Sequence, residues 1–163
     1  MPSRKSGDVV FFVALLSTAL ALGGPLAHLY ELPNKIGLPR DEYFVVQSIY
    51  AGWNRLAYLL AVELVSILAL IVMFRRQRQV LWPGVVAFLG LAAAQAIFWI
   101  YTYPANVATS NWTVIPDNWE VLRRNWEFSH AAGAPFHILT MIALIVAVLV
   151  RSRSDEASQV KRR

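Results

Sequence analysis

Three histidines lie within or beside segments that are apolar enough to cross a membrane, and two of them have a carboxylate at helical spacing. His28 stands three residues before Glu31, and His130 stands three residues after Glu127. His137 follows His130 by seven residues and therefore shares its helical face. Ionisable groups at membrane depth are costly, so these residues are candidates for a functional site.

Helical rise places further polar residues at a common depth. Glu63, Gln95 and His137 each lie seven to nine positions inward from the polar end of their own apolar segment, or about 10–13 Å. We therefore predict one buried polar layer on the second, third and fourth segments. A second layer nearer the surface would contain His28, Trp53, Asn54, Arg55, Tyr101, Thr102, Glu127 and His130.

Three chemistries fit such layers, and they leave the cofactor open between none, haem and a non-haem metal. The Glu-x-x-His spacing of Glu127 and His130 is that of carboxylate-bridged di-iron bundles, with His28 as a further ligand. A non-covalent haem would take His28, His130 or His137 as an axial ligand. A metal-free pocket would use histidine as acid or base. The structural alternative is that Glu63, Gln95 and His137 only hydrogen-bond one another and stabilise the bundle.

The composition of the chain indicates a membrane protein. Of its 163 residues 57% are hydrophobic and 15% charged, against about 25% charged in soluble domains. Four apolar runs, 9–30, 43–74, 80–103 and 128–150, each reach the roughly 20 residues that a membrane-spanning helix needs. The chain has no cysteine, which excludes a disulfide framework and a thiolate metal site.

From these runs we predict an all-α fold, a four-transmembrane-helix bundle in a single domain, residues 1–163. The helices are expected at about 9–30, 41–75, 80–103 and 117–151. The second and fourth would extend beyond the membrane on the outer side, because each is longer than one span requires. Helix two alone, at 41–75, would be about 50 Å long.

The first apolar run has two interpretations. Arg4 and Lys5 followed by an apolar stretch and Gly23-Gly24-Pro25 fit a cleavable signal peptide. We predict a retained helix instead, since the chain would otherwise be an odd three-helix protein. Proline has no amide hydrogen for the helix ladder, so the helix should bend or end near Gly23-Gly24-Pro25.

The distribution of basic residues predicts the orientation of the bundle. Arg4 and Lys5 precede helix one, and three arginines with no acid among them separate helices two and three. Five further basic residues follow helix four. By the positive-inside rule both termini are cytoplasmic, in a plasma or inner membrane. The net charge of +5 is then an orientation signal, and we expect the lipid bilayer but no nucleic acid as a partner. Residues 152–163 should form a flexible basic tail.

The start of the fourth helix carries the most specific pattern in the chain. Residues 119–130, WEVLRRNWEFSH, resemble the W-x-x-L-R-x-x-W-E-x-x-H signature of small four-helix membrane proteins related to anthrone oxygenases. The preceding Tyr103-Pro104-Ala105-Asn106 is similar to the Pro-x-Asn turn of that family. The resemblance implies oxidation of polycyclic phenolic substrates. The positions of this chain that match the family are Asn106, Trp126, Glu127 and His130.

Together these patterns predict an outward-facing polar site for an apolar aromatic or quinone-like ligand, in an oxygenase-like or small-molecule-binding protein. Glu127 and His130 would handle protons or a metal, and His137 and Glu63 would line the pocket. Ligand-binding residues would be Asn106, Trp126, Gln95, Tyr101 and Asn54. The alternative is a non-enzymatic membrane subunit that binds a partner through its outer helices. Asn111-Trp112-Thr113 also matches a glycosylation sequon on the predicted outer side.

Overall fold

The fold consists of helices joined by short turns. The computed structural model of the protein describes the backbone of residues 4–160 and the side chains of residues 5–154. The helices are α1 Arg4–Lys35, α2 Arg40–Gln47, α3 Leu56–Met73, α4 Arg78–Ile97, α5 Tyr103–Ala108 and α6 Trp119–Val160. Two 3-10 turns, Ser48–Tyr50 and Trp53–Arg55, join α2 to α3, and a π-helical turn, Phe98–Thr102, joins α4 to α5. The predicted all-α class is confirmed.

Four helical segments are long and apolar enough to cross a membrane, which indicates a multi-pass membrane protein as predicted. They are Lys5–Lys35, Trp53–Met73, Arg78–Ala108 and Trp119–Ser154. Both α2 and α5 lie at one end of these segments, which we call the α2 end. The turn between α3 and α4 lies at the other end.

The prediction that residues 41–75 form one continuous helix is wrong. The chain leaves the helix after Gln47 and starts again at Leu56. Ala51 is extended and Gly52 has a φ of 85°, a left-handed conformation that glycine adopts without a steric penalty. Instead of projecting into solvent, α2 therefore turns back and packs Tyr43 against α6.

The first helix also differs from its predicted end. It continues through Gly23-Gly24-Pro25 to Lys35 without interruption. A proline inside a helix costs one ladder hydrogen bond, and here α1 packs against both α3 and α6. As a result Lys35 is on the same helix as His28.

The third and fourth membrane-spanning helices extend beyond their predicted ends. The third membrane segment continues through the π-helical turn to Ala108 rather than ending at 103. The backbone of residues 152–160 is helical where we predicted a flexible tail, because α6 runs to Val160. Residues 161–163 and the tail side chains from 155 onward lie outside the described residues.

Close packing of α4 on α6 fixes the position of the long helix. A Cβ atom on Gly90 would lie 2.6 Å from Thr140 Oγ1 and 3.0 Å from the Phe136 carbonyl oxygen. The Thr140 hydroxyl donates a hydrogen bond to the Ala87 carbonyl of α4 at 3.1 Å. Small residues that let helix backbones approach are the usual way in which membrane helices associate. This contact positions the part of α6 that carries His130 and His137.

Two apolar clusters flank the middle of the molecule. Near the end opposite α2, Arg151 lies between the rings of Phe11 and Phe74, at 5.3 and 5.2 Å from their centroids. At the α2 end, an aromatic cluster covers the bundle. Its buried members are Tyr43, Ala105, Trp112 and Trp126.

Candidate functional site

Helices α1 and α6 bring two histidines into contact at the α2 end. His28 is on the buried face of α1, and His130 is one turn beyond Trp126 on α6. Their imidazole rings are stacked, with centroids 4.0 Å apart and planes inclined by 28°. His28 is buried and His130 is partly exposed. The pair therefore has one buried member and one member with partial exposure.

A buried lysine links the carboxylates beside this pair. Lys35 is only 3% exposed, and its ammonium nitrogen lies 3.0 Å from Glu31 Oε1 and 3.1 Å from Glu127 Oε1. It also donates to the Tyr50 hydroxyl at 2.8 Å. Glu31 in turn contacts His28 Nδ1 at 2.7 Å. Lysine is almost never buried without such partners, and here every ammonium hydrogen has an acceptor.

Two tyrosines complete the hydrogen-bond network from the α2 side. The Tyr43 hydroxyl donates to Glu127 Oε1 at 2.8 Å and accepts a hydrogen bond from the Gln47 amide. The Tyr50 hydroxyl donates to Glu31. We call the connected set the α1–α6 polar cluster. Its members are His28, Glu31, Lys35, Tyr43, Tyr50, Glu127 and His130.

The environment of both tyrosines keeps them protonated. Burial raises the pKa of Tyr43 well above its usual value, and the adjacent Glu127 carboxylate raises it further. Burial also raises the pKa of Tyr50, and so does its hydrogen bond to Glu31. Both hydroxyls are therefore hydrogen-bond donors at neutral pH. Each fixes the orientation of one carboxylate.

An aromatic wall holds the histidines in place. The Trp126 ring contacts His28 and His130, with centroid distances of 4.9 and 4.3 Å. Its indole N–H donates to Asn106 Oδ1 at 2.8 Å, and the indole N–H of Trp112 donates to the same oxygen at 3.2 Å. Asn106 thus positions two tryptophans rather than lying in the polar cluster itself.

The loop that presents Trp112 has an unusual backbone. Ser110, Asn111 and Trp112 have φ values of 48°, 56° and 65°. A bulky residue rarely adopts this left-handed conformation, and it persists only where surrounding contacts stabilise it. Here the Trp112 amide donates to Thr109 Oγ1 at 3.0 Å. Asn111 is exposed on this loop, and glycosylation at its sequon stays a prediction.

An open cleft lies on the turn that follows α2. It has a volume of about 590 Å³ and is lined by Gly52, Asn54, Arg55, Ala57 and Tyr58. Trp53 interrupts this series, and its ring lies 5.5 Å from the His28 ring and 5.0 Å from the Tyr50 ring. The residues on either side of Trp53 in the chain, Gly52 and Asn54, therefore line the cleft. The side chain of Trp53 itself contacts the polar cluster. Asn54, predicted to bind ligand, lines the cleft.

The predicted deep layer does not form one hydrogen-bonded group. Among the described side chains no hydrogen bond joins Glu63, Gln95 and His137. The polar neighbour of Glu63 is Thr18 on α1, and His137 Nδ1 has no hydrogen-bond partner in the described structure. Ideal helical rise gave the depth of these residues but not the direction in which each side chain points. Glu63 is therefore separate from the site predicted around Glu127 and His130.

Two further predicted ligand residues lie outside the polar cluster. Gln95 is partly exposed on α4 and Tyr101 is exposed on the π-helical turn. By contrast, sequence reasoning missed Lys35, Tyr43 and Tyr50. Lys35 follows His28 by seven residues and Glu31 by four, which would have placed it on the same face. This signal was lost because helix one was predicted to end at residue 30.

The geometry of the polar cluster does not fit the predicted metal site or a bis-histidine haem. The carboxylates of Glu31 and Glu127 both contact the Lys35 ammonium, where a bridging metal would have to lie. Among the described residues no three His, Asp or Glu side chains have a metal-binding arrangement. The lone pairs of imidazole lie in the ring plane, so the stacked rings of His28 and His130 cannot both point at one iron between them.

Comparison with family models, with curated proteins and with solved structures finds no match for this chain. The relation to anthrone oxygenases therefore stays a prediction from residues 103–130. Three of the positions that carry the resemblance, Trp126, Glu127 and His130, lie together at the α2 end, and the fourth, Asn106, hydrogen-bonds Trp126.

Proposed function

We propose that this protein binds an apolar aromatic ligand of the phenol or quinone class at the α2 end and exchanges protons with it. One observation carries the proposal: the stacked pair of His28 and His130 is connected to two carboxylates and a lysine, all at the end of an apolar bundle. A histidine beside a fixed carboxylate is the usual arrangement for general acid–base catalysis.

Lys35 holds both carboxylates of the cluster in place beside the histidines, with its ammonium nitrogen 3.0 Å from Glu31 Oε1 and 3.1 Å from Glu127 Oε1. The proposed base is the neutral imidazole of His130, the form that can accept a proton. His130, which is partly exposed, would accept the proton from a phenolic hydroxyl. His28 and its bond to Glu31 would hold the neighbouring ring in place.

An oxygenase-like reaction is the activity that fits this chemistry. Removal of the hydroxyl proton from a phenol, or from the anthrol tautomer of an anthrone, leaves an electron-rich anion. Dioxygen would oxidise the anthrone anion at C10 to the quinone, with one oxygen atom entering the product and the other leaving as water. The residues of the polar cluster supply the base, and Trp53 and Trp126 supply apolar ring surface beside it. The resemblance of residues 119–130 to anthrone oxygenases supports a polycyclic phenol as the substrate class.

The direct test is dioxygen consumption by protein in lipid nanodiscs with anthrone as the substrate. We expect the wild-type protein to accelerate consumption and His130→Ala to lower the rate about 100-fold, the typical contribution of one acid–base group. Glu42→Gln changes an exposed carboxylate of α2 and serves as the control that retains the rate. An unaltered rate in folded His130→Ala protein would refute the proposal.

The same proposal includes a placement in the membrane. The four spans would form a bundle with both termini in the cytoplasm and the α2 end outside, in a plasma or inner membrane. The basic residues at the end opposite α2 support this orientation, as do the mixed charges at the α2 end. A ligand dissolved in the outer part of the bilayer could then reach His130 sideways from the lipid.

A second function, a non-enzymatic subunit that binds a partner, is favoured by exposed apolar residues at the α2 end. Val45 is 71%, Ile49 60% and Val121 57% exposed. Val121→Asp should abolish association with a partner protein and leave anthrone oxidation unchanged. A substitution of Trp126 would not separate the two functions, because this side chain is buried and contacts His130. Loss of oxidation in His130→Ala with partner binding retained would separate the two functions.

A further inference from the structure

A second polar site lies between α1 and α3 at mid-depth. Glu63 is at the centre of the span Trp53–Met73, ten residues from either end, or about 15 Å. The side chains of Glu63 and Thr18 are both 0% exposed. The Thr18 hydroxyl lies beside the Glu63 carboxyl, yet neither carboxyl oxygen nor this hydroxyl has a well-formed hydrogen bond in the described structure.

No positive group compensates this carboxyl. None of the ion pairs formed by the described side chains involves Glu63. Among the described side chains of the neighbouring helices, Thr18 of α1 is the polar group that acts on it. On its own helix, the Ser66 hydroxyl donates to the Glu63 backbone carbonyl at 2.9 Å and leaves the carboxyl free. The histidine at similar depth, His137, shows no interaction with Glu63.

An isolated carboxylate in a hydrocarbon environment is very costly, and the cost disappears when the group is neutralised. A metal cation would need more oxygen ligands than the three available from Glu63 and Thr18. A proton needs no cavity and one acceptor. The protonated carboxyl could also form the hydrogen bond with Thr18 that is otherwise missing.

We propose that Glu63 is a proton-binding site in the middle of the bundle, with Thr18 as the hydrogen-bond partner of the carboxylic acid. This site is distinct from the α1–α6 polar cluster and does not depend on the ligand bound there. Release of the proton would leave a charge between α1 and α3.

Infrared spectroscopy of the full-length protein in nanodiscs tests this site. At neutral pH the wild-type protein should show a carboxylic acid carbonyl band that shifts in D2O and is absent from Glu63→Gln. Thr18→Val should move the band to higher frequency, because the acid loses its hydrogen-bond partner. Glu42→Gln, which changes an exposed carboxylate, should leave the band unchanged.

Three outcomes would overturn the proposal. The first is identical carboxylic acid spectra for folded wild-type and Glu63→Gln protein. The second is a melting temperature that rises in NaCl but not in choline chloride, with the difference lost in Glu63→Gln, since a cation would then occupy the site. The third outcome applies if Glu63→Gln does not fold: a carboxylic acid band that does not shift in Thr18→Val would then overturn the proposal.

Discussion

At the scale of single residues, Lys35 connects the two carboxylates of the candidate site. Its ammonium contacts two carboxylates that would otherwise repel each other in a buried environment. Both carboxylates belong to the polar cluster, and Glu127 is 0% exposed. Removing one partner of a buried ion pair leaves an uncompensated charge. The side chain therefore stabilises the fold and the site together.

We expect Lys35→Met to lower the free energy of unfolding by about 3 kcal/mol, the usual effect of breaking a buried pair. The double variant Lys35→Met/Glu127→Gln should recover part of this loss, because it removes one of the two charges. Thermal unfolding in detergent measures both. Lys5→Met, at the exposed start of α1, is the control. Equal melting temperatures for wild type and Lys35→Met would contradict the role given to Lys35.

From the environments of Tyr43 and Tyr50 we predict a loss of stability in alkali. Their pKa values are raised in the folded protein, while an unfolded tyrosine ionises at about pH 10. The stabilisation is complete below that pH and decreases as the pH rises above it. Melting temperatures measured from pH 8 to 11 should fall less steeply in Tyr43→Phe. Phe44→Leu changes the neighbouring ring but removes no hydroxyl and should keep the wild-type slope.

At the scale of helices, the interface of α4 and α6 depends on the absence of a side chain at Gly90. The Cβ of Gly90→Ala would overlap Thr140 and the Phe136 carbonyl, and we expect a loss of about 1–3 kcal/mol in the free energy of unfolding. Gly133→Ala is the matched control, since nothing lies within 4 Å of its added Cβ. Unfolding of both variants in detergent would measure the difference, and equal stabilities would argue against this packing.

The helices also explain why the site differs from its prediction. Amphipathic spacing identified α6 and placed Glu127 and His130 on it correctly. The continuation of α1 past Pro25 and the reversal of the chain at Gly52 depend on packing against other helices. These two features bring Lys35, Tyr43 and Tyr50 into the polar cluster.

At the scale of the whole molecule, orientation in the membrane can be measured directly because the chain has no cysteine. Asp117→Cys places one thiol at an exposed position just before α6, and Gln79→Cys places one near the start of α4 at the opposite end. In intact cells a membrane-impermeant maleimide should label only Asp117→Cys, and permeabilised cells should show labelling of both. Labelling of Gln79→Cys alone in intact cells would show the opposite orientation.

The sequence by itself determined the helical class, the four apolar segments and the positions of Glu127 and His130 on one helix. These follow from local composition and from spacing along one helix, which a single chain segment fixes on its own. Only the tertiary structure decided that His130 stacks on His28, that Lys35 lies between Glu31 and Glu127, and that Glu63 lies beside Thr18 instead of joining the polar cluster. Such contacts join residues up to about a hundred positions apart, and they depend on how the helices rotate and pack, which periodicity within one helix does not specify.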